Sequence, residues 1–304
     1  LEEAVAQGSG PLPEAALRAV LRELVSGARG LVKPLRVAYL GPPYSYSHLA
    51  AIERFGQTPE LVPVLTIAAV FEEVNRGQVD FGLVPIENST DGRVADTLDM
   101  FARMPVRICG EVQLHIHHCL LGVCERAAVQ EVYSKPQALS QCRDWLARYL
   151  PHARAVEMTS TAAAPRLAAE KPGAAAIASL QAGATYGLNV IAENIEDNPR
   201  NITRFAVIGE HDSRRTGKDK TALMFELTHQ SGALADALAV LKRARLNMTW
   251  IESFPMRSSK SEYLFFVEVE GHQSEAKLKK ALASLEKKTQ RLVVLGSYAA
   301  AAPV

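Results

Sequence analysis

The chain has no apolar run approaching the roughly 18–20 residues that a bilayer-spanning helix needs, so no helical membrane anchor is predicted. It has almost no net charge. Its 34 Lys and Arg stand against 33 Asp and Glu, leaving +1, so the composition offers no polyanion surface and no nucleic-acid partner is expected. Cysteine is scarce: Cys109, Cys119, Cys124 and Cys142 are spaced like neither a disulfide framework nor a zinc site. Reduced packing thiols in a cytoplasmic protein are expected. No GxGxxG, no cluster of metal ligands and no Ser/His/Asp arrangement stands out, so neither a metal nor a cofactor is predicted. No long internal repeat is present, and the chain starts at Leu1 instead of Met. That start reads as one inside a longer gene product or after processing.

What is present is 304 residues, 48% hydrophobic and 22% charged, which suits a globular protein of two or three units. Residues 13–32 carry Leu17, Val20, Leu21, Leu24 and Leu31 at helical spacing between Pro13 and Pro34. One amphipathic helix cannot bury its own stripe, so it must dock on the body, on another copy or on a further domain. From residue 35 short apolar strands alternate with helices: strands at 35–40, 61–65 and 81–85, and helices at 47–55 and 67–75, the latter started by Thr66. This predicts an α/β unit with a largely parallel sheet. A mixed strand is expected over 111–123. A second α/β lobe follows, and 201–208 reads as a strand returning to the first sheet. After the polar linker 209–220, strands and helices follow in a β-α-β-β-α-β order, which is ferredoxin-like.

Ligands of such sheets lie beyond the carboxyl ends of the strands. Four segments there draw attention. Gly41-Pro42-Pro43-Tyr44-Ser45-Tyr46-Ser47-His48 is a strand-to-helix turn with Ser47 as a candidate cap. Glu87-Asn88-Ser89 leads through Thr90-Asp91-Gly92-Arg93 to a helix near Val94, with Asn88 or Ser89 as candidate cap. Ser160-Thr161 opens a helix in the second lobe. Asn201-Ile202-Thr203-Arg204-Phe205 lies on the returning strand. Hydroxyls and helix N-termini converging on one cleft suit a small anionic ligand, and each segment is equally compatible with plain capping or packing. His115 and His117 share a strand face beside His118, which makes a metal geometrically possible; no accompanying carboxylate or thiolate ligand pattern supports one.

The order of these segments, with 134–142 and 176–188, resembles the prephenate dehydratase family over residues 37–208. Residues 221–298 resemble an ACT domain: Ser231-Gly232-Ala233-Leu234 matches its Gly-Ala-Leu loop, and Ile251-Glu252-Ser253-Phe254-Pro255 its Glu-Ser-Arg-Pro motif. The helix over 14–33 resembles the last helix of a chorismate mutase domain, with the rest of that domain absent and no mutase activity expected. The resemblance implies a two-lobed, periplasmic-binding-protein-like α/β catalytic domain at 34–212. One lobe takes about 34–111 and 189–212, the other about 112–188. It further implies an ACT domain at 219–304 and an N-terminal helix at 1–33. It implies loss of carbon dioxide and the ring hydroxyl of prephenate to give phenylpyruvate, with Thr203 assisting departure of the hydroxyl. Ser45, Ser47, Glu87, Asn88, Ser89, Gln137, Ser160, Thr161 and Arg204 are the implied substrate-binding residues, Arg204 serving either substrate or the lobe itself. Gly232, Ala233, Leu234, Asn247, Glu252 and Ser253 are the implied effector-binding residues, with phenylalanine as effector in a homodimer or homotetramer. Three positions depart from the pattern: Tyr44 stands where the family has Gly, Arg93 where it often has a small residue, and Phe254 where the motif has Arg. The same resemblance also leaves room for an arogenate dehydratase, for a decarboxylase that keeps the hydroxyl and lacks the Thr, and for a sensor without catalysis.

Overall fold

The computed structural model describes residues 2–158, 163–255 and 263–304. Two helices open it, α1 (Glu2–Ala6) and α2 (Glu14–Val32). The first lobe contains β1 (Arg36–Leu40), α3 (Tyr46–Phe55), β2 (Glu60–Val64), α4 (Ile67–Asn75), β3 (Phe81–Asn88), β4 (Gly92–Arg93), α5 (Ala95–Arg103) and β5 (Arg107–His115). The second contains β6 (Cys119–Gly122), β7 (Glu131–Ser134), α6 (Pro136–Gln141), α7 (Arg143–Tyr149), β8 (Arg154–Glu157), α8 (Ala163–Glu170), β9 (Ala174–Ala178), α9 (Leu180–Thr185) and β10 (Asn189–Ala192). The chain then returns as β11 (Ile202–Gly209). The C-terminal unit follows: β12 (Asp219–Leu227), α10 (Ala233–Arg243), β13 (Met248–Pro255), β14 (Tyr263–Glu270), α11 (Ala276–Glu286) and β15 (Arg291–Ala299).

The first sheet runs β2-β1-β3-β11-β5 with β4 on β3, and the second β10-β6-β9-β7-β8. β1, β2 and β3 are parallel, and β11 is inserted antiparallel between β3 and β5. The third sheet runs β13-β14-β12-β15, the ferredoxin-like order. The single strand expected over 111–123 is two. β5 stays in the first sheet up to His115, opposite Ile202, and β6 belongs to the second. β10 pairs with β6. The crossings between lobes therefore lie at 116–118 and 193–201, later than the divisions after 111 and 188. The apolar run across 119–123 hid the break, because periodicity does not show which sheet a residue joins.

Local chemistry sets the elements. Thr66 caps α4, its hydroxyl accepting from Ala69 N at 3.1 Å. Val37, Ala38 and Tyr39 of β1 are fully enclosed, as expected of a strand covered on both faces. The expectation for α2 is only half met. It docks on the body by its polar side, through Arg22 to Glu53, Gln57 N to Glu23 at 3.0 Å and buried Ser26. Gly56 allows this approach, since a Cβ there would lie 2.6 Å from that of Ser26. Val20, Leu24 and Leu31 of the predicted stripe remain exposed. No described helix is long and apolar enough to cross a membrane.

The C-terminal sheet lies between its own helices and the first lobe. Leu223, Phe225, Leu227 and Val267 face α10 and α11. The alternating Ala222, Met224, Leu264, Phe266 and Leu295 join the cluster that holds Val84, Ile108 and Ile208 of the first lobe. Each large apolar side chain so buried contributes roughly 1.5–3 kcal/mol, which makes the junction a shared core.

Candidate active site

The loops after β1 and β3 meet the second lobe at the carboxyl ends of the strands. Ser179, which caps α9, donates its hydroxyl to Tyr44 O at 3.0 Å across the gap. Asn88 and Thr203 face each other in the β3–β11 register. Asn88 Nδ2 donates to Thr203 Oγ1 at 2.8 Å and to Asn201 Oδ1 at 2.9 Å. Its Oδ1 accepts the backbone N–H of Thr90 at 2.9 Å and of Asp91 at 3.0 Å. These four bonds fix which way the amide points. Thr203 therefore receives a hydrogen bond from Asn88, and its own hydroxyl hydrogen has no acceptor among the described residues.

A second network bridges the lobes. Asp91 Oδ2 accepts from Gln141 Nε2 at 2.8 Å and from Gln137 Nε2. Gln141 Oε1 accepts from Asn201 Nδ2 at 3.1 Å and lies 2.9 Å from His118 Nε2. With its amide nitrogen already committed to Asp91, Gln141 presents only oxygen to the imidazole, so His118 carries its hydrogen on Nε2. Tyr46 OH donates to His117 O at 2.6 Å and lies 3.3 Å from His118 Nδ1. Glu196 receives His118 N at 2.8 Å and sits 2.8 Å from His117 Nδ1. The histidine cluster thus fastens the segments that cross between the lobes. Among the described residues no group of His, Cys, Asp and Glu could hold a metal.

Burial holds His118 below the ordinary 6.5, against the opposing pull of Gln141 and Glu196, and burial holds His48 down as well. The unfolded chain then binds more protons than the folded one just below pH 6.5. Stability from these groups is complete above 6.5 and is lost as pH falls toward their folded values. A melting series should show Tm falling as pH drops below 6.5, with a shallower slope in His118→Asn. A flat series would contradict buried neutral imidazoles.

Several expected site residues make structural contacts of their own. Ser45, not Ser47, caps α3, accepting from His48 N at 3.4 Å and donating to Leu40 O at 3.0 Å; Ser47 is buried in the first turn. Neither Asn88 nor Ser89 caps α5; Val94 holds that position. Ser89 instead pins the start of β11, its hydroxyl accepting from Ile202 N at 2.9 Å and donating to Arg200 O at 3.3 Å. Glu87 and Arg204 are not in the cleft. Strand alternation turns them to the opposite face from Asn88 and Thr203, where Arg204 Nη1 donates to Glu87 at 2.9 Å. Phe205 is core, 1% exposed. Ser160 and Thr161 lie outside the described residues. Tyr44 has φ 64°, a left-handed conformation that suits Gly; its N–H donates to His48 Nδ1 at 3.0 Å.

Asp91, Gln141 and Tyr46 were missed by sequence reasoning, and His118 was singled out only as part of a possible metal cluster. Gln141 had a signal: it stands four residues after Gln137, hence on the same helix face. The others depend on contacts between the lobes.

On the hidden face Arg204 Nη2 donates to Glu111 Oε2 at 3.1 Å and to Glu268 Oε2 at 2.7 Å. Lys220 Nζ lies 3.0 Å from Glu111 and 3.3 Å from Glu268. Tyr298 OH donates to Glu268 Oε2 at 2.6 Å. Burial pushes the Glu268 carboxyl up, but Arg204, Lys220, Thr249 and Tyr298 together hold it below the ordinary range. In the C-terminal unit Gly232 has φ 84° at the start of α10, and Ala233 and Leu234 lean on its core. Asn247 Nδ2 donates to Glu270 at 2.9 Å, Arg93 Nη1 to Glu252 at 2.9 Å, and Ser253 is exposed. Phe254 stacks on Phe266 at 5.5 Å and packs on the core shared with the first lobe.

A family model described as prephenate dehydratase matches residues 37–213. The bifunctional chorismate mutase/prephenate dehydratase of Aquifex aeolicus (strain VF5) is 44% identical over 290 residues, 95% of this chain and 80% of that protein. Among solved structures, a prephenate dehydratase in complex with L-Phe from Arthrobacter aurescens superposes with a TM-score of 0.82 at 32% identity, over 88% of this chain and 90% of that one. GqqA, described as a novel type of quorum quenching acylases, superposes with a TM-score of 0.79 at 30% identity, over 88% and 98%. One fold can serve different activities, but the family model takes in the whole two-lobed unit, including Asn88 and Thr203. This chain belongs to the prephenate dehydratase family.

Proposed function

We propose that the cleft converts prephenate to phenylpyruvate, carbon dioxide and water, with Thr203 donating to the departing ring hydroxyl. The observation that carries this is the Asn88–Thr203 bond at 2.8 Å, which occupies a lone pair of the Thr203 oxygen and leaves its hydrogen to donate. As the ring carboxylate leaves as carbon dioxide, its C–C bonding pair enters the ring. The C–O pair leaves with the hydroxyl, which takes a proton through the Thr203 hydroxyl and departs as water, and Thr203 recovers its proton from solvent. Aromatisation supplies most of the driving force, so the protein's task is to stabilise charge on the leaving oxygen with a preorganised donor. Ser160, Thr161 and the helix start beside them would hold a substrate carboxylate from the second lobe. Gln137, Gln141 and Asp91 bring that lobe against the first.

The C-terminal unit reads as an ACT domain that senses phenylalanine in a homodimer or homotetramer, in a cytoplasmic enzyme of phenylalanine biosynthesis. The L-Phe complex of the Arthrobacter aurescens structure supports the effector. The test is to incubate the chain with prephenate and follow phenylpyruvate by its absorbance in alkali, with and without L-phenylalanine. Turnover that L-phenylalanine suppresses is expected. Absence of phenylpyruvate would sink the prephenate reading, and arogenate would be the next substrate tried.

A further inference from the structure

The Asn88–Thr203 pair has a counterpart directly behind it. One residue along each strand, Glu87 and Arg204 pair on the opposite face. The register shifts between Arg204 and Phe205, a bulge of the kind that re-aims side chains beside active sites. This stretch is therefore not held by a regular ladder alone. What holds it from behind is the C-terminal sheet. Arg204 reaches Glu268 of β14 at 2.7 Å, and Arg93, on the hairpin strand paired with Glu87 and Asn88, reaches Glu252 of β13 at 2.9 Å. The Glu268 side chain is 1% exposed, and its second oxygen is taken by Lys220 at 3.3 Å and by Thr249.

We propose that Glu268, a residue of the C-terminal unit, is a positioning residue for the dehydration: through Arg204 it sets where β11 presents the Thr203 hydroxyl. The inference rests on the reading of Thr203 as the donor to the leaving hydroxyl. Arg204 is the connecting part, since its fork spans Glu87 of β3, Glu111 of β5 and Glu268 of β14. Those first two strands flank β11, so a shift of Glu268 is passed to the whole stretch. It also gives the C-terminal unit a direct hold on the reacting geometry.

The test is Glu268→Gln in the full chain. An amide cannot accept hydrogen bonds at both ends, and its loss of charge weakens the hold on Arg204 whichever way it turns, because the ion pair of Arg204 with the carboxylate is gone in both orientations. Folding should survive, because the cluster then balances two carboxylates, Glu87 and Glu111, against two cations. The expected result is a kcat lowered about tenfold or more, as small misplacements of a catalytic group produce, with KM within about twofold. Tyr298→Phe is the comparison: it removes one bond to Glu268 and leaves the Arg204 contact, so it should lower Tm with kcat unchanged. Should Glu268→Gln fail to fold, Arg204→Lys, which keeps the charge and loses the fork, is read for the same split. A kcat within twofold of wild type in the folded variant would overturn the proposal. So would a Tyr298→Phe variant that loses kcat as much as Glu268→Gln does. An inactive wild-type chain would instead count against the dehydratase reading itself.

Discussion

Thr203→Ala is expected to lower kcat by about 10²–10⁴-fold, the usual contribution of a positioned proton donor, with little change in Tm. Thr203 is only partly buried and sits on a strand whose neighbours Phe205, Ala206, Val207 and Ile208 carry the packing. Losing its methyl and hydroxyl therefore costs the fold little. The leaving oxygen, by contrast, loses the one hydroxyl that Asn88 holds in a donating orientation. Thr203→Ser should keep most of the rate, because its hydroxyl can take the same place. The comparison is made on kcat and KM with prephenate beside thermal melts. If the alanine variant retained activity within about threefold of wild type, donation would have to come from another group.

Gly296→Ala is expected to be the most damaging small substitution to stability. A Cβ at this position would lie 2.0 Å from Ile108 O, a backbone atom of β5. Its φ of 151° is also one that side-chain-bearing residues rarely adopt. Overpacking costs about 1–3 kcal/mol, and a strained backbone conformation a further 1–3 kcal/mol or so. Because β15 lies on β5 here, the strain falls on the seam between the C-terminal sheet and the first lobe. Chemical denaturation should show destabilisation of several kcal/mol, or a separate early transition as the C-terminal unit comes away. Unchanged unfolding would mean that the seam opens without cost.

Much of the architecture was legible along the chain. Thr66 marks the start of α4, and the β-α-β-β-α-β order of the C-terminal unit follows from its spacing. The loops after β1 and β3 were identifiable as the place for a ligand because strand direction alone puts them at carboxyl ends. Part of the candidate site was legible too, and part was legible but unused: neighbours in a strand point to opposite faces, so Thr203 and Arg204 cannot both enter one cleft. The position of the cap on α3 turned on a shift from Ser47 to Ser45 that helix periodicity does not resolve.

By itself, the sequence determined the alternation of strands and helices, the cap at Thr66 and which residue types carry the chemistry, because these depend on neighbours within a few positions. Only the tertiary structure decided which face of β11 meets the cleft. That depends on β3 lining up Asn88 with Thr203, 115 positions apart, and on β14 bringing Glu268 to Arg204, 64 positions apart. The network joining His118, Gln141 and Asn201 is of the same kind. Such pairings carry no periodic signature: they are set by how the sheets pack, which the whole chain decides at once.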